Sequence, residues 1–319
     1  MIAALASLAA GCADGDEALL AKSRRVFGTI EEARGDAPPR PELVRLGQIL
    51  YVSPELSVNG TQSCSSCHPV AGGAPGVDGL PTSPGALGAP GRRNTPTVLN
   101  ASLQFAQFWD GRAESLETQA AGPILNPLEM GMPTEAAVER RLRSMDPALF
   151  RAAFPGEENP FTLDHAARAL AAFQRTLLTS DRFDDFQRGD AGALSATEKR
   201  GLEAFLDAGC ASCHGGPLLG GAQFQKVGIV HPWTNEADRG RYEVTSDEID
   251  QFVFKVPSLR NVALTPPYFH DGTVETLEKA VDRMAWHQLG KKLPPEERDA
   301  IVAFLRALSD EDRVAARAE

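Results

Sequence analysis

The chain has 319 residues, a net charge of −11, and 42% hydrophobic and 24% charged residues. At about 150 residues per domain, this length predicts two domains, each large enough to bury a core without disulfide bonds. The acidic charge argues against nucleic acid as a partner, because phosphate binding needs cationic side chains. It is compatible with docking of a basic protein partner.

The N-terminus resembles a bacterial lipoprotein signal. Residues 1–10 are small and apolar, and Cys12 follows a glycine and precedes a polar run. In such signals the cysteine is lipidated once the residues before it are removed, although this segment lacks the usual basic residues. We therefore expect residues 1–21 to direct export to the periplasm, with a membrane anchor through Cys12. A mildly apolar N-terminus without this role is the alternative.

Helical periodicity recurs along the rest of the chain, separated by loops rich in glycine and proline. A capping box at Ser195 and Glu198 predicts the start of one helix. The predicted helices cover residues 41–51, 113–121, 134–145, 162–178, 195–208, 274–284 and 295–308. Strand content should be low, with one short pair within residues 227–256. No other apolar run approaches the roughly 20 residues that span a bilayer.

Two Cys-x-x-Cys-His motifs contain four of the five cysteines. They comprise Cys64, Cys67 and His68, and Cys210, Cys213 and His214. This pattern is typical of c-type haem attachment, in which two thiols bind the haem vinyl groups and the imidazole binds the iron. A zinc ribbon would place its pairs about 15 to 20 residues apart, and a thioredoxin-like site would need a βαβ pattern. Covalent haem attachment outside the bacterial cytoplasm agrees with export.

The order helix, haem motif, loop, helix occurs twice. We therefore predict a mainly α protein with two fused cytochrome c-like helical domains, each with one covalently bound c-type haem. The expected domains are residues 22–180 and 181–319, with the linker within residues 179–192.

The second axial ligand decides whether an iron only transfers electrons or also binds a substrate. Met284 lies downstream of the second motif at a spacing suited to haem ligation, and methionine raises the haem potential. Near the first motif the candidates are Met130, Met132 and Met145. If Met130 binds the first iron, the protein is a non-catalytic di-haem electron carrier; otherwise Met130 packs in the core. The adjacent Glu129 suits acid–base chemistry on bound peroxide, with a solvated loop glutamate as the alternative.

Four long segments resemble bacterial di-haem cytochrome c peroxidases. They are residues 56–64 (LSVNGTQSC), 93–100 (RNTPTVLN), 107–113 (QFWDGRA) and 257–270 (PSLRNVALTPPYFH). The resemblance extends in order over residues 41–308. MauG, a relative that oxidises a protein, shares the framework.

The resemblance implies that the first haem reduces hydrogen peroxide to water and that the second relays electrons from a small cytochrome c or cupredoxin. By position, Glu129 corresponds to the catalytic acid–base, Gln119 to its polar companion, and Trp109 to the aromatic residue between the haems. Met284 matches the ligand of the electron-transferring haem in the peroxidases, whereas MauG has a tyrosine there. Homodimers are common among such proteins, although this sequence shows no self-complementary patch.

The resemblance also implies a calcium site formed by Asn94 with the carbonyl groups of Thr265 and Pro267, since calcium prefers oxygen ligands.

One position departs from the pattern of the similar peroxidases. Many of these peroxidases carry a loop histidine that blocks the first iron until the second is reduced, and Ala86 stands at that position here. We therefore expect the first haem to be five-coordinate or water-bound already in the oxidised protein.

A MauG-like enzyme that oxidises a side chain of a partner protein is the main alternative function, favoured by Ala86 and opposed by Met284. Of the remaining histidines, His270 lies in a matched segment and is expected to support the haem environment. His165, His231 and His287 are interpreted as structural or surface residues.

Overall fold

The computed structural model describes residues 15–35 and 37–316, and these form a mainly helical protein. The helices in these ranges are α1 (15–24), α2 (Ile30–Ala33), α3 (Pro41–Val52), α4 (Cys64–Cys67), α5 (Leu116–Leu125), α6 (Glu135–Ser144), α7 (Pro147–Ala153), α8 (Leu163–Gln174), α9 (Arg182–Arg188), α10 (Ala196–Ala208), α11 (Tyr242–Thr245), α12 (Leu277–Leu289), α13 (Pro295–Ala307) and α14 (Glu311–Ala316). Within the described ranges no helix has the length and apolar character needed to cross a membrane.

The predicted low strand content is confirmed for the described residues. Strand β1 (Phe224–Lys226) pairs antiparallel with β2 (Val253–Lys255), and Phe224 lies opposite Lys255. The second strand falls inside the predicted range of residues 227–256, whereas the first ends just before it.

Each predicted helix is present, with shifted ends. The capping box is confirmed: the Ser195 side chain accepts from the Glu198 backbone, and the Glu198 side chain accepts from the Ser195 backbone. Helix α5 begins later than predicted because Ser115 caps it, accepting from the Thr118 amide. Helix α9 lies within the predicted linker, where the Asp181 side chain caps it.

The same helix crossing is built twice. In the first unit α3 crosses α8, and a Cβ on Gly47 would lie 1.9 Å from the carbonyl oxygen of Ala169. In the second unit α10 crosses α13, and a Cβ on Gly201 would lie 1.9 Å from the carbonyl oxygen of Ala300. Because the backbones touch, only glycine fits at either crossing. The two fused cytochrome c-like units therefore share one packing plan.

Each unit has its own hydrophobic core. Buried residues of the first include Leu50 and Phe150, and those of the second include Phe205 and Phe304. Phe27, from the described part of the N-terminal segment, packs in the second core. The domain bounds given above stay a prediction.

The units meet at Thr179, between α8 and α9. Its hydroxyl oxygen accepts from Asn100 Nδ2 at 2.8 Å and from Asn261 Nδ2 at 3.0 Å. The two asparagines occupy matching places, since both take left-handed backbone angles, with φ of 57° and 62°. A buried polar contact thus joins equivalent loops of the two units.

A second pair of equivalent turns precedes α5 and α12. The sequences are Phe-Trp-Asp-Gly and Phe-His-Asp-Gly, and their first residues, Phe108 and Phe269, have φ of 67° and 69°. Trp109 of the first unit therefore corresponds to His270 of the second. The helices that follow keep this register, so Pro123, the eighth residue of α5, corresponds to Met284, the eighth residue of α12.

Candidate functional site

The first Cys-x-x-Cys-His motif lines a cavity of about 520 Å³. Cys64 and Cys67 form the ends of α4, and His68 follows as its C-cap. His68 Nδ1 lies 3.1 Å from the Gly76 carbonyl oxygen. Because a carbonyl only accepts, this contact places the proton on Nδ1 and leaves Nε2 free to bind a metal. Burial lowers the pKa of His68, which favours the neutral imidazole that binds iron.

The second motif lines a smaller cavity of about 190 Å³. His214 Nδ1 lies 3.1 Å from the Leu219 carbonyl oxygen, and burial lowers the pKa of His214 in the same way. Met284 lines this cavity from α12, together with Cys210 and Cys213. The thiols, imidazole and thioether of one haem site therefore converge here.

Both sites fit a covalently bound haem. The four motif cysteines are unpaired, and burial raises the pKa of Cys64 to about 12 and that of Cys210 to about 11, which keeps both as neutral thiols. His270 lines the second cavity, and its buried Nε2 has no hydrogen-bond partner among the described residues. Leaving such a nitrogen unsatisfied costs about 1–3 kcal/mol. A polar group of the bound cofactor, such as a haem carboxylate, would satisfy it.

Glu129 and Gln119 both line the first cavity. Burial raises the pKa of the Glu129 carboxyl, while a hydrogen bond from Asn126 and the charge of Arg112 oppose this shift. The Asn126 Nδ2 donates to Glu129 Oε1 at 2.6 Å. The carboxyl therefore lies on the cavity wall with a pKa above its ordinary value, which suits a group that accepts and returns a proton.

A tight loop after α5 holds Glu129. The carbonyl oxygen of Asn126 accepts from the amides of Glu129 and Gly131, both at 2.9 Å. The Glu129 carbonyl in turn accepts from the Ala86 amide at 2.7 Å. Ala86 stands where many of the similar peroxidases carry the loop histidine. It is therefore fixed against the loop that carries Glu129.

Sequence reasoning missed Asn126, although an Asn-Pro pair directly after a helix is a turn signal that could have drawn attention to it. It also missed two arginines that line the first cavity, Arg93 and Arg112. Arg93 binds Asp110 and Asp238 at 2.6 Å each, and Arg112 binds Asp110 at 3.0 Å. These cations suit the anionic edge of a haem.

Trp109 lines both cavities. Its Nε1 donates to the Asn94 carbonyl oxygen at 2.9 Å, and its own carbonyl accepts from the Lys255 amide at 2.7 Å. One contact comes from each unit, so residue Trp109 is held between the two haem sites.

Met130 is 5% exposed and packs in the first core, although it also lines the first cavity. Met132 lies in the same core, with Met145 packed against it. The imidazole of His165 lies 2.8 Å from the Thr162 hydroxyl, a contact within its own helix end.

Of the predicted calcium ligands, Asn94 contacts a loop that also approaches Pro266, the residue between the other two, Thr265 and Pro267. Asn94 Nδ2 donates to the carbonyl oxygens of Leu80 and Pro81, which leaves Asn94 Oδ1 for a cation. The same loop approaches the Pro266 carbonyl, 3.9 Å from an ideal Cβ on Gly79. Across the described ranges, no group of three His, Cys, Asp or Glu residues could hold a metal ion, so a cation here would depend on amide and carbonyl oxygens.

A family model described as di-haem cytochrome c peroxidase matches residues 41–192, and one described as cytochrome c matches residues 198–309. A cytochrome c551 peroxidase from Nitrosomonas europaea is 43% identical, covering 88% of this chain and 84% of its own. A methylamine utilization protein MauG from Methylorubrum extorquens is 38% identical, covering 86% of this chain and 80% of its own. The crystal structure of a MauG-like protein associated with microbial copper homeostasis is 29% identical, with a TM-score of 0.76, and covers 88% of this chain and 95% of that one.

Proposed function

Since this chain belongs to the di-haem cytochrome c peroxidase family, we propose that its first cavity reduces hydrogen peroxide and that its second receives the electrons. The observation that carries this assignment is a difference between equivalent positions. Met284 offers a thioether to the second cavity, whereas the first unit has Pro123 there and a partly buried carboxyl, Glu129, on the cavity wall.

The family and the two motifs imply two covalently bound haem c groups. The residues that would hold them are Cys64, Cys67 and His68 for the first, and Cys210, Cys213, His214 and Met284 for the second. When bound, the first haem supplies an iron that binds peroxide and delivers electrons into its O–O bond.

Glu129 serves as the acid–base residue. With the haem bound, its carboxylate would accept a proton from one peroxide oxygen and return it to the other, which would leave as water. Asn126 holds the carboxylate for this transfer through its 2.6 Å hydrogen bond. The Gln119 amide, on the same cavity wall, orients the peroxide by hydrogen bonding.

Trp109 connects the two sites. Its indole lines both cavities and is held by a backbone contact from each unit. Electrons from a small donor protein, a cytochrome c or a cupredoxin, enter at the second haem and pass by way of Trp109 to the first. With the haem bound, Met284 would offer its thioether to the second iron, which would exclude peroxide from that iron and favour the high potential that suits an electron acceptor.

Ala86 offers no side chain that could bind the iron of the first haem. A methyl group cannot bind iron, and the Ala86 amide is already engaged by the Glu129 carbonyl. We therefore expect turnover to begin in the fully oxidised protein, without prior reduction of the second haem.

We further propose that calcium binds at Asn94 Oδ1 and the carbonyl oxygens of Thr265 and Pro267, near the contact between the units. Asn94 also accepts the Trp109 indole hydrogen through its carbonyl oxygen. Removal of calcium would thereby disturb the residue that connects the two haem sites.

We place the protein in the periplasm, because c-type haem is attached outside the bacterial cytoplasm. Cys12, the predicted lipid anchor, lies outside the described residues, so anchoring stays a prediction, as does formation of a homodimer.

A MauG-like activity on a partner protein is the second candidate. It is favoured by Ala86, because an accessible first iron does not need a dedicated donor to start the reaction. Met284 and the greater identity to a peroxidase, 43% against 38% for the MauG relative, favour the first candidate.

Stopped-flow mixing of the di-haem protein with peroxide and reduced cytochrome c tests the assignment. We expect Glu129→Gln to lower kcat/KM for peroxide by about 10²–10⁴-fold, the usual contribution of a positioned acid–base residue. Glu114→Gln, at an exposed glutamate five residues after the inter-haem tryptophan, is the matched control and should leave the rate unchanged. Turnover that is unaffected by Glu129→Gln would remove this residue from the mechanism, and rapid haem oxidation without cytochrome oxidation would favour a protein substrate.

A further inference from the structure

The three tryptophans of the chain lie along one row of aromatic rings that leads outward from the contact between the units. The row begins at Trp109. Its ring meets His270 edge-on, with 6.4 Å between centroids, and His270 lies 6.2 Å from Trp233 on its other side. Trp233 is 6% exposed, so this inner part of the row is shielded from water.

The outer part of the row ends at the surface. Trp233 contacts the His287 ring at 4.9 Å, and His287 Nδ1 donates to the His231 carbonyl oxygen at 2.7 Å. The His231 ring stacks on Trp286 with 3.8 Å between centroids and 14° between planes. Trp286 is 37% exposed, so the last indole of the row is accessible to a small molecule.

The backbone fixes this outer end. The His287 carbonyl oxygen accepts from the amides of both Val230 and His231. Gly290 has a φ of +64°, and a Cβ there would lie 2.9 Å from the Val230 side chain. The segment that stacks on Trp286 is therefore packed onto the end of α12, and α12 also carries Met284 into the second haem cavity.

A negative charge beside Trp233 favours its oxidation. Trp233 Nε1 donates to the Asp271 carboxylate at 3.2 Å. Burial would raise the pKa of Asp271, but hydrogen bonds from Thr273 and Trp233 hold that pKa below its ordinary value, so the carboxylate is charged. A negative charge at this position stabilises an indole that has lost an electron.

The Trp109 indole, in contrast, donates to an uncharged partner. Its Nε1 donates to a neutral carbonyl, that of Asn94. An electron vacancy formed at Trp109 is therefore more stable once it has moved to Trp233.

We propose that this row conducts one-electron oxidation from Trp109 to Trp286, and that Trp286 is a surface site at which small phenol-type reductants are oxidised. The proposal rests on the peroxidase function above, which supplies the oxidant. Exposed Ile229 and Val230 directly precede His231, the residue that stacks on Trp286, and add apolar surface at this end of the row. The Lys292 ammonium lies 5.4 Å from the indole centroid.

The electrons and protons balance over two one-electron steps. In each step Trp109 loses an electron to the peroxide-oxidised centre and regains one from Trp233, which regains one from Trp286. Trp286 releases its Nε1 proton to water. A phenol then returns one electron and one proton to Trp286 and leaves as a phenoxyl radical. Two phenols and one hydrogen peroxide thus give two phenoxyl radicals and two water molecules.

Peptide mass spectrometry of the di-haem protein, treated with peroxide in the absence of any reductant, tests the path without relying on activity. We expect Trp286 to gain oxygen in the wild-type protein. Trp233→Phe keeps an aromatic ring in the core but removes the intermediate indole, and it should lower oxidation of Trp286 by about tenfold or more. Peroxide in bulk water would oxidise Trp286 equally in both proteins, and that result would overturn the proposal.

Trp286→Phe provides a second test at an exposed position that should not disturb folding. We expect it to lower kcat/KM for guaiacol, a small methoxyphenol, by about tenfold or more, with turnover of reduced cytochrome c unchanged. Equal guaiacol oxidation by this variant and the wild type would contradict the proposal. If the wild-type protein fails to turn over peroxide with cytochrome c, the proposed peroxidase function is wrong; if it does so but Trp286 is never oxidised, only the surface site is wrong.

Discussion

The two haem units are built alike where they pack and differ where they meet the iron. Gly47 and Gly201 occupy equivalent helix crossings in the two units. At each, an added Cβ would lie 1.9 Å from a carbonyl oxygen of the facing helix. At the equivalent positions of α5 and α12, however, one unit has Pro123 and the other Met284. The two units therefore share the same helix packing, and they differ in a few side chains that line the haem cavities.

A second difference lies in the core beneath the matching asparagines. Arg260 precedes Asn261 in the second unit, and Leu99 precedes Asn100 in the first; both are 1% exposed. Arg260 binds Asp181 at 2.6 Å and Asp184 at 2.8 Å. Burial raises the pKa of Asp184 to about 6, against the opposing charge of Arg260.

Replacing Arg260 with leucine, the residue at the equivalent position of the first unit, should have the largest effect on stability. Arg260→Leu leaves the buried carboxylates of Asp181 and Asp184 without a cationic partner, and we expect it to lower the free energy of unfolding by about 3–5 kcal/mol. Urea denaturation followed by circular dichroism measures this change. Adding Asp181→Asn and Asp184→Asn to the variant should restore most of the loss; no recovery would mean that the charges are not the cause.

The shared helix crossing predicts equal effects in the two units. Gly47→Ala and Gly201→Ala each force the helices apart, and we expect each to lower the free energy of unfolding by about 1–3 kcal/mol. Gly15→Ala, in open space, is the control. A large loss for one substitution and none for the other would show that the two crossings are not energetically equivalent.

The smallest expected effect is a shift in pH dependence confined to the first unit. Glu129 must be ionised to accept a proton, so kcat/KM for peroxide should fall as the pH drops through its pKa, which burial raises above that of an ordinary glutamate. Asn126→Ala removes the hydrogen bond that opposes this rise, so the fall should move to higher pH. At mildly acidic pH we expect a loss of up to about tenfold, corresponding to one pKa unit.

Reduction of the second haem by cytochrome c provides the internal comparison, since Asn126 belongs to the first cavity alone. Its pH dependence should be the same in Asn126→Ala and the wild type. An acid limb of peroxide turnover that does not move would argue that another group accepts the proton.

The main features of the fold were predictable because they depend on local patterns. Helical periodicity, the capping box at Ser195 and the two haem motifs each lie within a short stretch of sequence. The bond between Arg93 and Asp238 was not predictable, because it joins residues 145 positions apart and depends on how the units dock. The equivalence of Pro123 and Met284 was also missed, since it follows only when the Phe-Trp-Asp-Gly and Phe-His-Asp-Gly turns are aligned.

Electron paramagnetic resonance of the fully oxidised di-haem protein tests the central claim most directly, because it reports the ligands of each iron separately. We predict one high-spin signal from the first haem and one low-spin signal with histidine and methionine ligands from the second. In Met284→Leu only the low-spin signal should change. Two low-spin signals in the wild type, each with a methionine ligand, would contradict the account and identify the protein as an electron carrier.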